Sequence, residues 1–141
     1  IGYNGLAGHT FVGNEPDDVG YHAYVIQARD YSAVTAACLM VKASLYDEVG
    51  GFEEELEVAF NDVDFCLKVR EKGYLVVYNP YAVLHHYESK SRGYEDTPEK
   101  RNRFEKEAFF TYNKWEKILA DGDPCYNPNL TLSNSDFSLR E

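Results

Sequence analysis

The sequence predicts an α/β fold, a mixed sheet flanked by helices, with a long C-terminal helix and an irregular tail. Three observations carry this. Val34 to Val41 is a nearly continuous apolar run, as in a strand covered on both faces. Strand-like and helix-like stretches alternate with short connections, an order that favours α/β layering. Behind a Thr97-Pro98-Glu99 start, Phe104, Ala108, Tyr112, Trp115 and Leu119 recur at helical spacing, a stripe that reads as core packing.

Taken in order, residues 1 to 20 have turn and loop composition, with His9 an ordinary loop histidine. His22 reads the same way. Tyr24-Val25-Ile26 reads as a short strand and the 34–41 run as a buried one; its two alanines keep a buried helix as the alternative. Lys42 to Val49 forms a short helix closed by Gly50-Gly51. An acidic loop leads to a second helix that starts at Asn61, an N-cap residue type, and ends near Gly73. Tyr74 to Tyr78 and Tyr81 to His86 are further short strands. The polar stretch 87–97, with Ser91 and Arg92, has the small hydroxyls and cations of a phosphate clamp, although a solvated loop is the commoner outcome for such a composition.

The chain has 141 residues, 14 basic and 24 acidic, for a net charge of -10. Such a balance argues against nucleic acid or an anionic membrane as the main partner and suits a site that gathers a divalent cation. No apolar run approaches membrane-spanning length. The three cysteines, Cys38, Cys66 and Cys125, fit no zinc or disulfide spacing. Cys38 and Cys66 lie in apolar runs and read as core thiols in a reducing, cytoplasmic compartment.

The chemistry points to the second helix. With a step of about 100° per residue, Asp62 falls in the arc of Val63, Phe65, Cys66, Leu67 and Val69, whereas Asp64 falls opposite with Lys68 and Glu71. Asp64 is therefore expected on the surface, paired with Lys68. Asp62 is expected to face the protein body or a cleft. A carboxylate there is costly unless something uses it, and a helix N-terminus is a suitable place for a general base.

Four blocks in order resemble the C-terminal half of a bacterial family-two glycosyltransferase with a GT-A (Rossmann-like) fold. They are residues 34–41, Val49-Gly50-Gly51-Phe52, Asn61 to Arg70, and His85 to Gly93. The tail from Asp123 to Leu130 is also similar. The resemblance implies one partial domain over 1–141, the acceptor-side half, with the nucleotide-binding half and its Asp-x-Asp motif expected upstream. It implies a hexosyltransferase-type parent acting with inversion in cell-surface polysaccharide synthesis, with a nucleotide-diphosphate sugar as donor and a glycan or lipid-linked acceptor. Asp62 matches the general base of the family's Glu-Asp-x-Asp motif; Asn61 stands where Glu is usual, and Asp64 matches the second acid on the acceptor side. His86 matches a metal-contributing histidine for Mn²⁺ or Mg²⁺, and Ser91 and Arg92 match the loop over the diphosphate. The isolated piece is expected to turn over little and to self-associate. The rival readings are a non-catalytic glycan- or protein-binding module, and a hydrolase using Asp62, Asp64 and His86. The diverging phases of Asp62 and Asp64 argue against the hydrolase.

Overall fold

A computed structural model describes residues 1–87 and 96–141. Its regular elements are helix α1 (Ala43–Glu48), helix α2 (Asn61–Glu71), the long helix α3 (Pro98–Asp121) and two short strands, β1 (Arg29–Asp30) and β2 (Val77–Tyr78). The strands pair antiparallel, Arg29 opposite Tyr78 and Asp30 opposite Val77.

The helices form where expected, and local chemistry explains their ends. Gly50 and Gly51, at φ 79° and 65°, turn the chain out of α1. A Cβ on Gly51 would meet the Tyr46 ring at 2.8 Å, so only glycine fits there. Thr97 caps α3 by accepting the Lys100 N–H, with Pro98 in the first turn. The cap of α2 differs from expectation. Phe60, not Asn61, is the cap residue, in a left-handed conformation (φ 61°, ψ 5°) with no side-chain cap bond.

The sheet is much smaller than predicted among the described residues. Tyr24-Val25-Ile26 lies in a 3-10 segment, Tyr21–Ile26. The 34–41 run is no strand: Thr35 accepts the Ala37 N–H and bends the chain into a 3-10 turn, Ala36–Cys38, whose residues are exposed. Cys38 is accordingly an exposed thiol rather than a core one, whereas Cys66 is fully buried. Residues 81–86 form no strand, and all of them are exposed.

The core surrounds α2. Phe65, Cys66 and Val69 pack with Val76, and Val34, Leu39, Val41, Leu45, Tyr46 and Val49 close over them. On another side, Leu67 shares a cavity wall with Ile118 and Leu119 of α3. Arg70 fastens the end of α2 to β1, donating to both Asp30 carboxylate oxygens (2.8 and 3.0 Å) and to the Tyr31 carbonyl (3.1 Å). The tail folds back on itself: Thr131 N–H donates to the Ser138 carbonyl and Arg140 N–H to the Asn129 carbonyl.

Two predicted faces are corrected. Asp64 is not on the surface; its side chain is fully buried. On α3 the buried residues are Glu107, Thr111 and Trp115, while Phe104 and Tyr112 are 40% and 45% exposed. The buried face is thus turned by about 60° from the apolar stripe, at roughly 100° per residue. Trp115 of the predicted stripe is buried, but it is joined there by Glu107 and Thr111 rather than by Phe104 and Tyr112.

Candidate active site

Asp62 lies in the first turn of α2, half-buried, on the wall of a cavity of about 720 Å³. The α2 side of this cavity is made by Val58, Ala59, Phe60, Asp62 and Val63. Tyr24, Tyr31, Tyr78 and Phe104 add aromatic faces, and Phe11 and Phe137 come from the two ends of the chain. Those ends are joined by ring contacts: Phe137 stacks on Phe11 (4.9 Å) and lies parallel to Tyr21 (4.8 Å).

Two backbone donors hold the Asp62 carboxylate. Val63 N–H reaches Oδ1 at 2.9 Å, and Ala36 N–H reaches Oδ2 at 3.1 Å. The second bond explains why the apolar 34–41 segment turns where it does, because the turn presents its amide to α2. A carboxylate accepts about four hydrogen bonds, so two donors fix its orientation and leave capacity for a hydroxyl in the cavity. The α2 N-terminus adds a favourable partial positive charge beside it.

Phe60 places Asp62. A non-glycine residue in the left-handed region costs on the order of 1–3 kcal/mol and persists only where its surroundings enforce it. Here the Phe60 carbonyl accepts the Asp64 N–H at 2.8 Å, and the Phe60 ring meets Phe104 of α3 at 5.5 Å. Ala59 N–H donates to Glu107 Oε2 at 2.6 Å.

Asp64 has a different setting. Its Oδ1 accepts Trp115 Nε1–H at 2.9 Å and pairs with Lys114 Nζ at 2.8 Å; its Oδ2 pairs with Lys68 at 3.2 Å. Lys114 also bonds Glu53 at 2.7 Å, and this partner holds the Glu53 carboxyl below its ordinary value. Asp64 does not line the cavity, so the two acids of the Asn61 to Asp64 motif serve different neighbours. Asn61 opens α2 half-buried. His85 and His86 are exposed. Ser91 and Arg92 lie outside the described residues. Among the described residues, no three His, Cys, Asp or Glu side chains cluster as metal ligands.

Sequence reasoning did not single out Glu107. The available signal was its spacing, since Glu107, Thr111 and Trp115 recur every four residues and share one helix face.

Comparison with known proteins gives three informative relatives. An uncharacterized protein of Sinorhizobium fredii is 50% identical over 140 residues, 99% of this chain and 15% of its own length. The O-antigen biosynthesis protein RfbC of Myxococcus xanthus is 32% identical over 142 residues, again 99% of this chain but 11% of its own. The N-acetylglucosaminyl-diphospho-decaprenol L-rhamnosyltransferase of Mycobacterium tuberculosis is 35% identical over 60 residues, 43% of this chain and 20% of its own length. The chain therefore spans between 11% and 20% of these relatives. No family model and no solved structure matches it. No helix among the described residues is long and apolar enough to cross a membrane.

Proposed function

We propose that this chain is the acceptor-side part of a glycosyltransferase that uses a nucleotide-diphosphate sugar, with Asp62 as general base. The observation that carries the reading is the Asp62 carboxylate, oriented by Ala36 and Val63 amides at a helix start and turned to a roomy aromatic-lined cavity. The names of the Myxococcus and Mycobacterium relatives support a role in building cell-surface polysaccharide, with a glycan or lipid-linked acceptor.

In this reading Asp62 takes the proton from an acceptor hydroxyl. The hydroxyl oxygen attacks the anomeric carbon in line, the bond to the nucleoside diphosphate breaks, and the configuration inverts. Asn61 and the aromatic wall hold the acceptor, and Asp64 fixes the helix. Ser91 and Arg92 are assigned to the diphosphate. A divalent cation, Mn²⁺ or Mg²⁺, would neutralise the leaving diphosphate. His86 is exposed and suited in chemistry to be one ligand, the others coming from the diphosphate or from sequence beyond this chain. Residues 1–141 act as one unit of a GT-A domain whose nucleotide-binding part belongs to the longer protein. The reaction is assigned to the cytoplasm, in keeping with the free thiols.

The test is transfer by the full-length protein from a panel of nucleotide sugars with Mn²⁺, comparing wild type with Asp62→Asn. Loss of about 10²- to 10⁴-fold in kcat, with folding and donor binding kept, is the expected result for a general base. Unchanged transfer removes Asp62 from the mechanism. No transfer by wild type with any donor favours the non-catalytic binding module.

A further inference from the structure

Asp62 depends on the turn that precedes it, and that turn is held from α3. Three contacts converge there within a few residues. Ala59 N–H, one residue before the left-handed Phe60, donates to Glu107 Oε2. The Phe60 ring packs on Phe104, one turn before Glu107. Asp64, two residues past Asp62, accepts the indole N–H of Trp115, two turns after Glu107.

Glu107 is 3% exposed, an expensive place for a carboxylate. Its other oxygen pairs with Arg103 at 3.5 Å, and its main-chain carbonyl accepts the Thr111 hydroxyl at 2.8 Å. A buried acid bonded to a backbone amide in a strained turn does more than fill space, because apolar packing would fill the space at lower cost. Without that acceptor, the Ala59 amide loses its bond and Phe60 is free to leave the left-handed region. The first turn of α2 would then unwind or rotate, and Asp62 would move from the Ala36 amide.

We propose that Glu107 is a positioning residue for Asp62. It acts through the Ala59 amide to lock the Phe60 turn, with Trp115 and Asp64 fixing the helix on the far side. The proposal rests on Asp62 as the base only for its effect on rate; its effect on geometry stands separately. Glu107 touches no reacting atom.

The experiment uses the full-length protein and three variants. Glu107→Ala removes the acceptor, and Glu107→Gln keeps an oxygen in its place. Thr111→Val loses a buried hydrogen bond on the same helix face without touching the turn. Transfer kinetics are read beside hydrogen exchange measured by mass spectrometry on peptides covering residues 57–61 and 34–37. The second peptide matters because the Ala36 amide senses α2 through the Asp62 carboxylate.

Expected for Glu107→Ala are faster exchange in both peptides and a kcat lower by about 10²-fold, the scale of a misplaced catalytic group, with little change in KM. Glu107→Gln restores most of the rate, and Thr111→Val keeps rate and exchange in both peptides even if its melting temperature falls. Unchanged exchange at 34–37 in Glu107→Ala would overturn the proposal, as would equal loosening of both peptides in Thr111→Val. If Asp62→Asn retains full transfer, the general-base reading fails on its own, while the exchange data still decide whether Glu107 holds the turn.

Discussion

Burial decides the behaviour of single side chains on α2. The Cys66 thiol sits among Phe65, Val69 and Val76 with no exposed surface, and desolvation pushes its pKa up to about 11 despite a weak bond to the Val34 carbonyl. Only the thiolate reacts, so at pH 8 a group with such a value is about 10⁻³ ionised, besides being shielded. Cys38 is exposed on its turn. Iodoacetamide at pH 8 should therefore label Cys38 within minutes and Cys66 only after unfolding, read by mass spectrometry of the labelled peptides. Rapid native labelling of Cys66 would mean that α2 opens readily. Asp64 is just as buried but is enclosed by polar partners: Trp115, Lys114 and Lys68 surround its carboxylate. Removing one partner of such a buried ion costs more than the pair contributes, since the other is left uncompensated.

At the scale of elements, Asp30 ties β1, β2 and α2 together. Burial alone would raise its pKa, but hydrogen bonds from Arg70 and from the Val76 N–H outweigh that and leave the carboxyl below its ordinary value. A depressed folded value gives stability that is present above the unfolded pKa of about 3.9 and is lost as pH falls through the folded value. Asp30→Asn should lower the melting temperature at pH 7, and the gap to wild type should close as pH falls below about 4. A gap that is constant down to pH 2 would show that the charge contributes nothing. This node was hidden in the sequence because Asp30 lies 40 residues before Arg70 and 46 before Val76. Elements defined by local signals were legible: the Gly50-Gly51 stop, the Thr97-Pro98 start and the existence of α2 could all be read directly. The faces were not. A helical wheel assumes one apolar side, but α2 is packed against the 34–49 region on one side and against Trp115 on another, so Asp64 of its polar stripe is buried while Glu71 stays exposed. The 34–41 run misled in the opposite way, since Thr35 turns it and only Val34, Leu39 and Val41 reach the core. Asp62 was placed on the cavity side for a sound reason, its phase with Phe65 and Val69, but its clasp by Ala36 required the fold.

For the whole molecule, surface area sets the expectation. A folded monomer of 16.1 kDa should expose about 7,400 Å² by the usual scaling of area with mass. This chain exposes 9909 Å². Part of the excess is apolar: within one short stretch after β2, Tyr81 is 87% exposed, Val83 81% and Leu84 69%. An exposed apolar stretch of this kind favours association, because contact with another apolar surface removes it from water. The net charge of -10 opposes contact between copies, and salt screens that repulsion. The 141-residue chain alone should therefore associate reversibly at high concentration in sedimentation equilibrium, and more so at 0.5 M than at about 0.05 M NaCl, where the Debye length exceeds 10 Å. Replacing Val83→Lys and Leu84→Glu together keeps the net charge and should abolish most of the association at either salt. Because both side chains face solvent, the melting temperature should hold. If the double variant unfolds, the two residues are core after all. If it associates as wild type does, the contact lies elsewhere, and the remaining exposed apolar side chains, Met40 at 99% first among them, become the next to be charged.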